Sequence, residues 1–366
     1  MSEDAPDIDP DGKPLRRGWT TGACATAATK AALNRLLGGP FLDPVTITLP
    51  GGQTPAFALA EEQEGEGFAE AGIIKDAGDD PDVTHGALVR ARVEHGEAGT
   101  GVRFVAGPGV GTITKPGLPL PVGEPAINPV PRKMMSAVVE ELCLAHGRAP
   151  DIRITISVRD GEELAKKTWN PRLGILGGLS ILGTTGIVIP YSCAAWIHSI
   201  HRGIDVARAM GVTHVVGATG DVSERAARER LGLPEESYLD MGDFVGGMLK
   251  YLKQHPVERV TIAGGFGKLC KLAQGAMDLH SSRSRVDHHF LAGLLQTLDV
   301  HRNIVEQART ANTANEVLTM AGEAGAGLAA AVARLARDAA QRIAGGAVRV
   351  DVLVVDRRGA IVGESD

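Results

Sequence analysis

The segment 164–190, LAKKTWNPRLGILGGLSILGTTGIVIP, constrains the fold of this chain more than any other. Glycines at Gly174, Gly177, Gly178, Gly183 and Gly186 interrupt a run of Ile, Leu and Val, with Thr184 and Thr185 just before the last of them. So apolar a run favours a buried strand, yet glycine permits backbone conformations and close approaches that other residues do not. A strand that ends in a Gly/Thr turn is how α/β proteins present amide N–H groups to an anionic or nucleotide ligand. The same element recurs as Thr20-Thr21-Gly22, where it opens an Ala-rich stretch that reads as a helix. Two such turns in one chain imply a binding site assembled from both.

Composition narrows the class. At 366 residues the chain can form two domains, each with its own core. Its 47 glycines follow no Gly-X-Y period, so they belong to turns and loops. Aromatic content of 4% and a net charge of −6 exclude a base-stacking or polyanion-binding surface, so no nucleic acid is expected. Cys24, Cys143, Cys193 and Cys270 show no CxxC or zinc spacing and read as buried reduced thiols. Residues 1–14 are acidic and read as a disordered leader, not a signal peptide. No apolar run reaches the ~20 residues of a membrane span without a glycine, which implies a cytoplasmic protein with no membrane contact.

Along the chain, 20–37 reads as a helix capped by Thr20 or Thr21 and stopped at Gly38-Gly39. VTITLP and PAFALA read as a hairpin about Gly51-Gly52, EEQEGEGFAE as a loop, and 87–96 with 101–107 as a second hairpin. The stretch 107–133 holds seven prolines and must lie along something as an ordered, extended segment. A helix then precedes the strand 151–158, after which helices and strands alternate to a last strand at 349–356. This predicts an α/β chain: an α+β domain over 15–150, then a domain over 151–366 built on a mostly parallel sheet. The sheet that the last strand joins is not readable.

In an open parallel sheet, ligands bind beyond the carboxyl ends of the strands. Three candidate turns are Gly183–Gly186, the turn Gly217-Ala218-Thr219-Gly220-Asp221, and Gly264-Gly265-Phe266-Gly267-Lys268, with Lys271 one turn on. The third lacks the GxxxxGK[ST] phosphate loop, since Leu269 follows the lysine. Basic pairs at Arg16-Arg17, Arg132-Lys133 and Lys166-Lys167 flank the unusual segments and suit a ligand bearing carboxylates or phosphates. The densest polar stretch, DLHSSRSRVDHHF, carries Asp278, His280, Ser281, Asp287, His288 and His289, in no metal-ligand spacing that can be assigned.

Taken together, GWTTGACATAATKAAL, GPGVGTITKPGLPLPVGEPAINPVPRKM, GEELAKKTWNPRLGILGGLSILGTTGIVIP, GGFGKLCKLAQGAMDLHS and the turn Asp243–Gly246 resemble the signature blocks of CbiD-type cobalt-precorrin-5B C-1-methyltransferases. The blocks run in family order from about residue 15 to 290. Phe266 and the pair Asp278-Leu279 depart from the usual family residues. The resemblance implies a Rossmann-like second domain and methyl transfer from S-adenosylmethionine to C-1 of a corrin precursor in cobalamin biosynthesis. It also implies that cobalt arrives within the substrate, with no enzyme-bound metal.

On this reading Thr20, Thr21, Gly22, Gly183, Thr184, Thr185, Gly186, Gly264, Gly265, Gly267 and Lys268 contact the methyl donor. Arg17, Arg132, Lys133, Lys167, Arg172, Lys271 and Ser281 contact the macrocycle, and His280 with Asp278 supplies acid–base help. A homodimer and hand-over from neighbouring pathway enzymes remain open as partners. Two alternatives stand beside it: a non-catalytic tetrapyrrole carrier, and a nucleotide-dependent enzyme acting on a small anionic metabolite.

Overall fold

The computed structural model describes residues 13–365; the leader expected over 1–14 lies, but for its last two residues, outside them. The chain is α/β and divides into two compact units, Met1–Cys193 and Ala194–Asp366.

The first unit is a five-stranded sheet with helices on it, in the order Glu61–Gly65, Phe68–Ile74, Leu88–His95, Ile152–Val158, Arg103–Ala106. The boundary expected near residue 150 is corrected by this sheet. Ile152–Val158 does not open a second domain: it pairs antiparallel with Leu88–His95 and parallel with Arg103–Ala106. Its apolar residues alternate, and Ile152, Ile154, Ile156 and Val158 are all buried in the first core. The same insertion separates the two strands expected to form a second hairpin. EEQEGEGFAE is also not a loop, since Glu61–Gly65 pairs antiparallel with Phe68–Ile74.

Against this sheet lies the helix Thr21–Leu36, with Thr20 as N-cap accepting from Ala23 N at 3.2 Å. It is buried almost all round, which small residues such as Ala23, Ala27 and Ala31 permit. Its buried hydroxyls are satisfied within the helix, Thr26 donating to Gly22 O and Thr29 to Ala25 O, each at 2.8 Å. The helix Pro129–Ala145 packs beside it. The proline-rich stretch is ordered and extended, as expected, and what it lies along is the glycine-rich segment. Gly109–Val110 pairs with Gly178–Leu179, and Thr112–Ile113 with Ile175–Leu176. The glycine-rich segment is therefore not one long strand but short paired pieces.

The second unit holds a five-stranded sheet in the order Tyr238–Asp240, His214–Ala218, Arg259–Gly265, Arg349–Val355, Ile361–Ser365. The first four strands are parallel; Ile361–Ser365 closes the edge antiparallel. The last predicted strand thus joins the second sheet. One face carries the helix Asp221–Leu231, through Val216, Ala227, Tyr238, Ala263 and Leu353. The other face meets a larger layer of helices, among them Cys193–Ala209, Val245–Gln254 and Gly325–Ala344. No single helix among the described residues is long and apolar enough to cross a membrane.

One buried charge pins the first unit. Lys75, just past the strand Phe68–Ile74, is 1% exposed and pairs with Asp82 Oδ2 at 2.6 Å. Asp82 Oδ1 accepts from Thr84 N at 2.7 Å and from its hydroxyl at 2.6 Å. Burial pushes the Asp82 carboxyl up, but the Lys75 charge and the Thr84 bonds outweigh it and hold the pKa below the usual range. Lys75→Met leaves Asp82 without its cation. Because Asp82 still reaches water, the expected loss of stability is about 2–3 kcal/mol, below that of a fully buried pair. Urea unfolding midpoints check this, and an unchanged midpoint would refute it.

Three of the four cysteines are buried as expected, but Cys193 is exposed, a correction to the reading of all four as core thiols. Burial pushes the Cys24 thiol up to about 12 and raises Cys270 as well. Ellman's reagent should therefore titrate one thiol in the native chain and the other three only in denaturant. A second fast thiol would show that a buried cysteine is reached through an opening motion.

Candidate active site

In the first unit the two Thr-Thr-Gly turns do meet. Gly18–Trp19 pairs antiparallel with Ile187–Val188, and Thr20 N donates to Gly186 O at 3.0 Å. Thr21 Oγ1 accepts from Leu182 N at 3.0 Å and donates back to Leu182 O at 3.3 Å, while Gly22 N also donates to Leu182 O, at 2.9 Å. Gly183 has φ +139, and a Cβ there would stand 2.3 Å from Thr20 Oγ1, so only glycine fits. The donors of Thr20, Thr21 and Gly22 thus face their own chain, and the contact is a joint. Thr184 and Thr185 are exposed at its turn, where Thr185 Oγ1 accepts from Ile187 N at 3.2 Å.

Sequence reading passed over the loop beside this joint, KDAGDDPDVTHG, residues 75–86. Asp76 ion-pairs with Arg16 and its backbone carbonyl accepts from Trp19 N at 2.7 Å; Asp79 accepts from Arg16 N at 2.6 Å. Asp80 accepts from Tyr191 N at 2.8 Å, which holds Tyr191, a non-glycine residue, at φ 55. The signal was available: four aspartates, Asp76, Asp79, Asp80 and Asp82, bracketed by Lys75 and His85.

The basic residues assigned to the macrocycle divide into two sorts. Arg132 is turned inward: Nε donates to Ile127 O at 2.8 Å, Nη2 to Pro125 O at 3.0 Å, and Nη2 ion-pairs with Glu124 at 2.9 Å. Arg172 lies over the Trp169 ring, 4.5 Å from its centroid. Lys133, Lys167 and Arg17 are exposed.

The second unit has the geometry expected of a ligand crevice. After the strand His214–Ala218 the chain moves to one side, to Tyr238–Asp240, and then crosses to the other side at Arg259–Gly265. That reversal opens a gap at the carboxyl ends of the two central strands. Thr219 N donates to Ala263 O at 3.0 Å, fastening the two strand ends. Past them, Gly220 precedes the helix Asp221–Leu231 and Gly265 precedes the helix Phe266–Ala273. A Cβ built on Gly220 or Gly265 would meet nothing within 4 Å, so both backbones border open space. The opening amides of a helix lack intrahelical partners and carry its positive end.

Both lysines near these turns are engaged. Lys268 Nζ donates to Thr219 O at 3.0 Å and ion-pairs with Asp243 at 3.0 Å, bridging the ends of both central strands and the turn that follows Tyr238–Asp240. Lys271 Nζ donates to Leu279 O at 2.8 Å, and burial lowers its pKa. Leu279 N in turn donates to Asp243 O at 2.9 Å.

Residues 278–287 form turns that lead into the helix His288–Gln296. Asp278 accepts from His280 N at 3.0 Å, His280 Nδ1 meets Ser282 Oγ at 2.7 Å, and Ser281 is exposed. Asp287 caps the helix His288–Gln296 by accepting from His289 N at 2.8 Å. Among the described residues, no three of His, Cys, Asp and Glu gather as a metal-holding group.

Residues 8–190 match the family profile described as CbiD, and residues 278–366 match that described as CbiD, C-terminal domain. Over 97% of its length the chain is 62% identical to the cobalt-precorrin-5B C(1)-methyltransferase of Paramagnetospirillum magneticum, covering 99% of that protein. It is equally, 62%, identical to the enzyme of that name from Rhodospirillum rubrum, covering 98% of it. A crystal structure of the cobalamin biosynthesis protein CbiD from Archaeoglobus fulgidus aligns with a TM-score of 0.40 at 30% identity, over 71% of this chain and 80% of that one.

The Arg16–Asp76 pair ties the loop 75–86 to the start of the joint. The hydrogen bond from Arg16, helped by Gly78 N, pulls the Asp76 carboxyl down to about 2. A carboxyl lowered on folding stabilises the fold above its unfolded pKa, and that stability is lost as pH falls through the folded value. The wild type should therefore lose stability between about pH 4 and pH 2 more steeply than Asp76→Asn, as read from urea midpoints. Parallel curves would show that the pair contributes nothing.

Proposed function

The chain belongs to the CbiD family, and on that premise we propose that it is a methyltransferase that moves a methyl group from S-adenosylmethionine to C-1 of cobalt-precorrin-5B, giving cobalt-precorrin-6A in cobalamin biosynthesis. The observation that carries this reading is 62% identity to two enzymes of that activity across nearly the whole chain. Bound S-adenosylmethionine supplies an activated methyl: its S–CH3 bond breaks with the pair going to sulfur, and C-1 provides the pair for the new bond.

The chain's own work is to hold and align. We assign the donor to the crevice of the second unit, where the open backbones of Gly220 and Gly265 border the helix starts. Lys268 acts here as a positioning residue, since its bonds to Thr219 and Asp243 fix the crevice walls. Gly264 lies under those walls: a Cβ there would come within 2.9 Å of the Thr219 side chain. Lys133 and Lys167, exposed on the first unit, are kept for the carboxylates of the macrocycle. His280 is retained only through Nε2, because Nδ1 is engaged by Ser282. The cytoplasm is the compartment proposed.

Gly265→Val tests the assignment cleanly. The position has φ −65 and ψ 147, which valine adopts, and no atom within 4 Å to clash with. The variant should keep the wild-type melting temperature yet lose methyl transfer by about 100-fold, since displacing a ligand by ~1 Å costs that much. Transfer of labelled methyl to cobalt-precorrin-5B measures it. A fully active variant would move the donor elsewhere.

A further inference from the structure

The segment 182–191 of the first unit is fixed in backbone and uncovered in side chain. At one end Leu182 N donates to Thr21 Oγ1 and Leu182 O accepts from Gly22 N, yet Leu182 is 48% exposed. At the other end Ile189 and Tyr191 are 40% and 66% exposed, with the buried Pro190 between them. The pairing of Ile187–Val188 with Gly18–Trp19 between these ends leaves the strip no freedom to turn its apolar groups inward. Large apolar groups gathered in one fixed segment, with the exposed Thr184 among them, mark a surface that another molecule covers.

Tyr191 carries strain as well. Its φ of 55 is a left-handed conformation that a bulky side chain rarely adopts, whereas asparagine or glycine sits there readily. The hydrogen bond from Tyr191 N to Asp80 Oδ1 at 2.8 Å maintains it, and the loop that carries Asp80 is itself tied down through Asp76 and Asp79 on Arg16. A backbone held in an unfavourable conformation by its surroundings, with an aromatic ring left in water, is characteristic of a binding surface.

The charge beside the strip points to an anionic occupant. A Cβ on Gly22 would meet the Pro131 side chain at 2.6 Å and Leu182 O at 3.0 Å, so the first turn of the helix Pro129–Ala145 lies against Leu182. Lys133 is exposed on that helix start, with no hydrogen bond or ion pair among the described residues, and is available to a carboxylate. The sequence agrees: in a chain of net charge −6, the stretch 164–190 holds Lys166, Lys167 and Arg172 and no acidic residue.

We propose that Leu182, Ile189 and Tyr191 form the floor on which the flat ring of the methyl acceptor rests, with Lys133 taking one of the carboxylates at its rim. The proposal rests on the acceptor reading above and deepens it: that reading gave cations for the rim of the macrocycle, and this names an apolar contact for its face. A tetrapyrrole is apolar across its faces and charged at its edge, so it needs both kinds of group side by side. Cations alone would hold any polycarboxylate, whereas the floor selects a flat ring.

The test is steady-state methyl transfer to cobalt-precorrin-5B by the full chain, with KM and kcat read separately. Tyr191→Asn removes the ring and leaves a residue that accepts the left-handed backbone. Its melting temperature should equal or exceed that of the wild type, while KM for cobalt-precorrin-5B rises about 10-fold and kcat stays within about 2-fold. Leu182→Ser and Ile189→Ser should each raise KM about 5-fold, and Leu182→Met and Ile189→Leu should restore it. Lys133→Gln should raise KM about 5-fold at low salt, a difference that closes as salt is added. An unchanged KM in Tyr191→Asn, Leu182→Ser or Ile189→Ser removes that residue from the floor, and unchanged values in all three overturn the proposal while the methyltransferase reading stands. A lower melting temperature for Tyr191→Asn would show a packed ring and overturns its role too. A KM for Lys133→Gln equal to that of the wild type at low salt overturns the carboxylate contact. Absence of methyl transfer by the wild type overturns the methyltransferase reading itself.

Discussion

The pair of hydrogen bonds between the Thr21 hydroxyl and the backbone of Leu182 holds the first unit to its shape. It joins positions 161 residues apart. The helix that starts at Thr21 is buried on nearly every side, so its depth in the core must be set at its end. Thr21 sets it by accepting from Leu182 N and donating to Leu182 O, with Thr20 N and Gly22 N completing the joint. Thr20, Thr21 and Gly22 are buried, and an unpaired buried donor costs about 1–3 kcal/mol. The glycine-rich segment can make the joint because Gly183 lets it pass against Thr20. The short strands it forms with 109–113 then fix the proline-rich stretch, which no helix or long sheet could have ordered.

In the second unit the equivalent constraint is topological. Once the chain steps to one side of His214–Ala218 and then to the other, the connections that leave the two central strands must part to opposite faces of the sheet, and glycine turns keep the gap between them open. Lys268 closes the frame beneath by bonding to the carbonyl of one strand end and the carboxylate of the neighbouring turn. The site is therefore built mainly of backbone. Its tolerance to side-chain change should be highest where a residue faces solvent and lowest at the glycines that border the gap.

Elements with a strong period were legible in the sequence: the Ala-rich helix, the hairpin about Gly51-Gly52, and the alternation of helices and strands after 192. What failed was pairing. The strand Ile152–Val158 has a plain alternating pattern, but nothing local says which sheet it joins, because its partners at 88–95 and 103–106 are distant in sequence. Tyr238–Asp240 and Ile361–Ser365 were missed for shortness. The glycine turns at 217–221 and 264–268 were found because ligand approach and tight turns demand the same residue. Their lysines misled, since a cation next to a glycine turn reads as an anion binder when its partners, Thr219 O and Asp243, cannot be seen.

Those partners change the electrostatic sense of the crevice. With Lys268 neutralised by Asp243, the helix that leaves the first of these strand ends opens on an acidic residue, Asp221. A polyphosphate would meet that carboxylate with Lys268 and Lys271 already committed, whereas a sulfonium donor brings a positive charge of its own. The amides at the helix starts still serve a single carboxylate, such as that of an amino-acid side. A ligand with a cationic centre and one carboxylate suits the charge of this gap better than a nucleoside triphosphate does. The imperfect phosphate loop at Lys268 is thus consistent with the charge around it: the turn keeps the glycines that admit a ligand and commits its lysine to the frame.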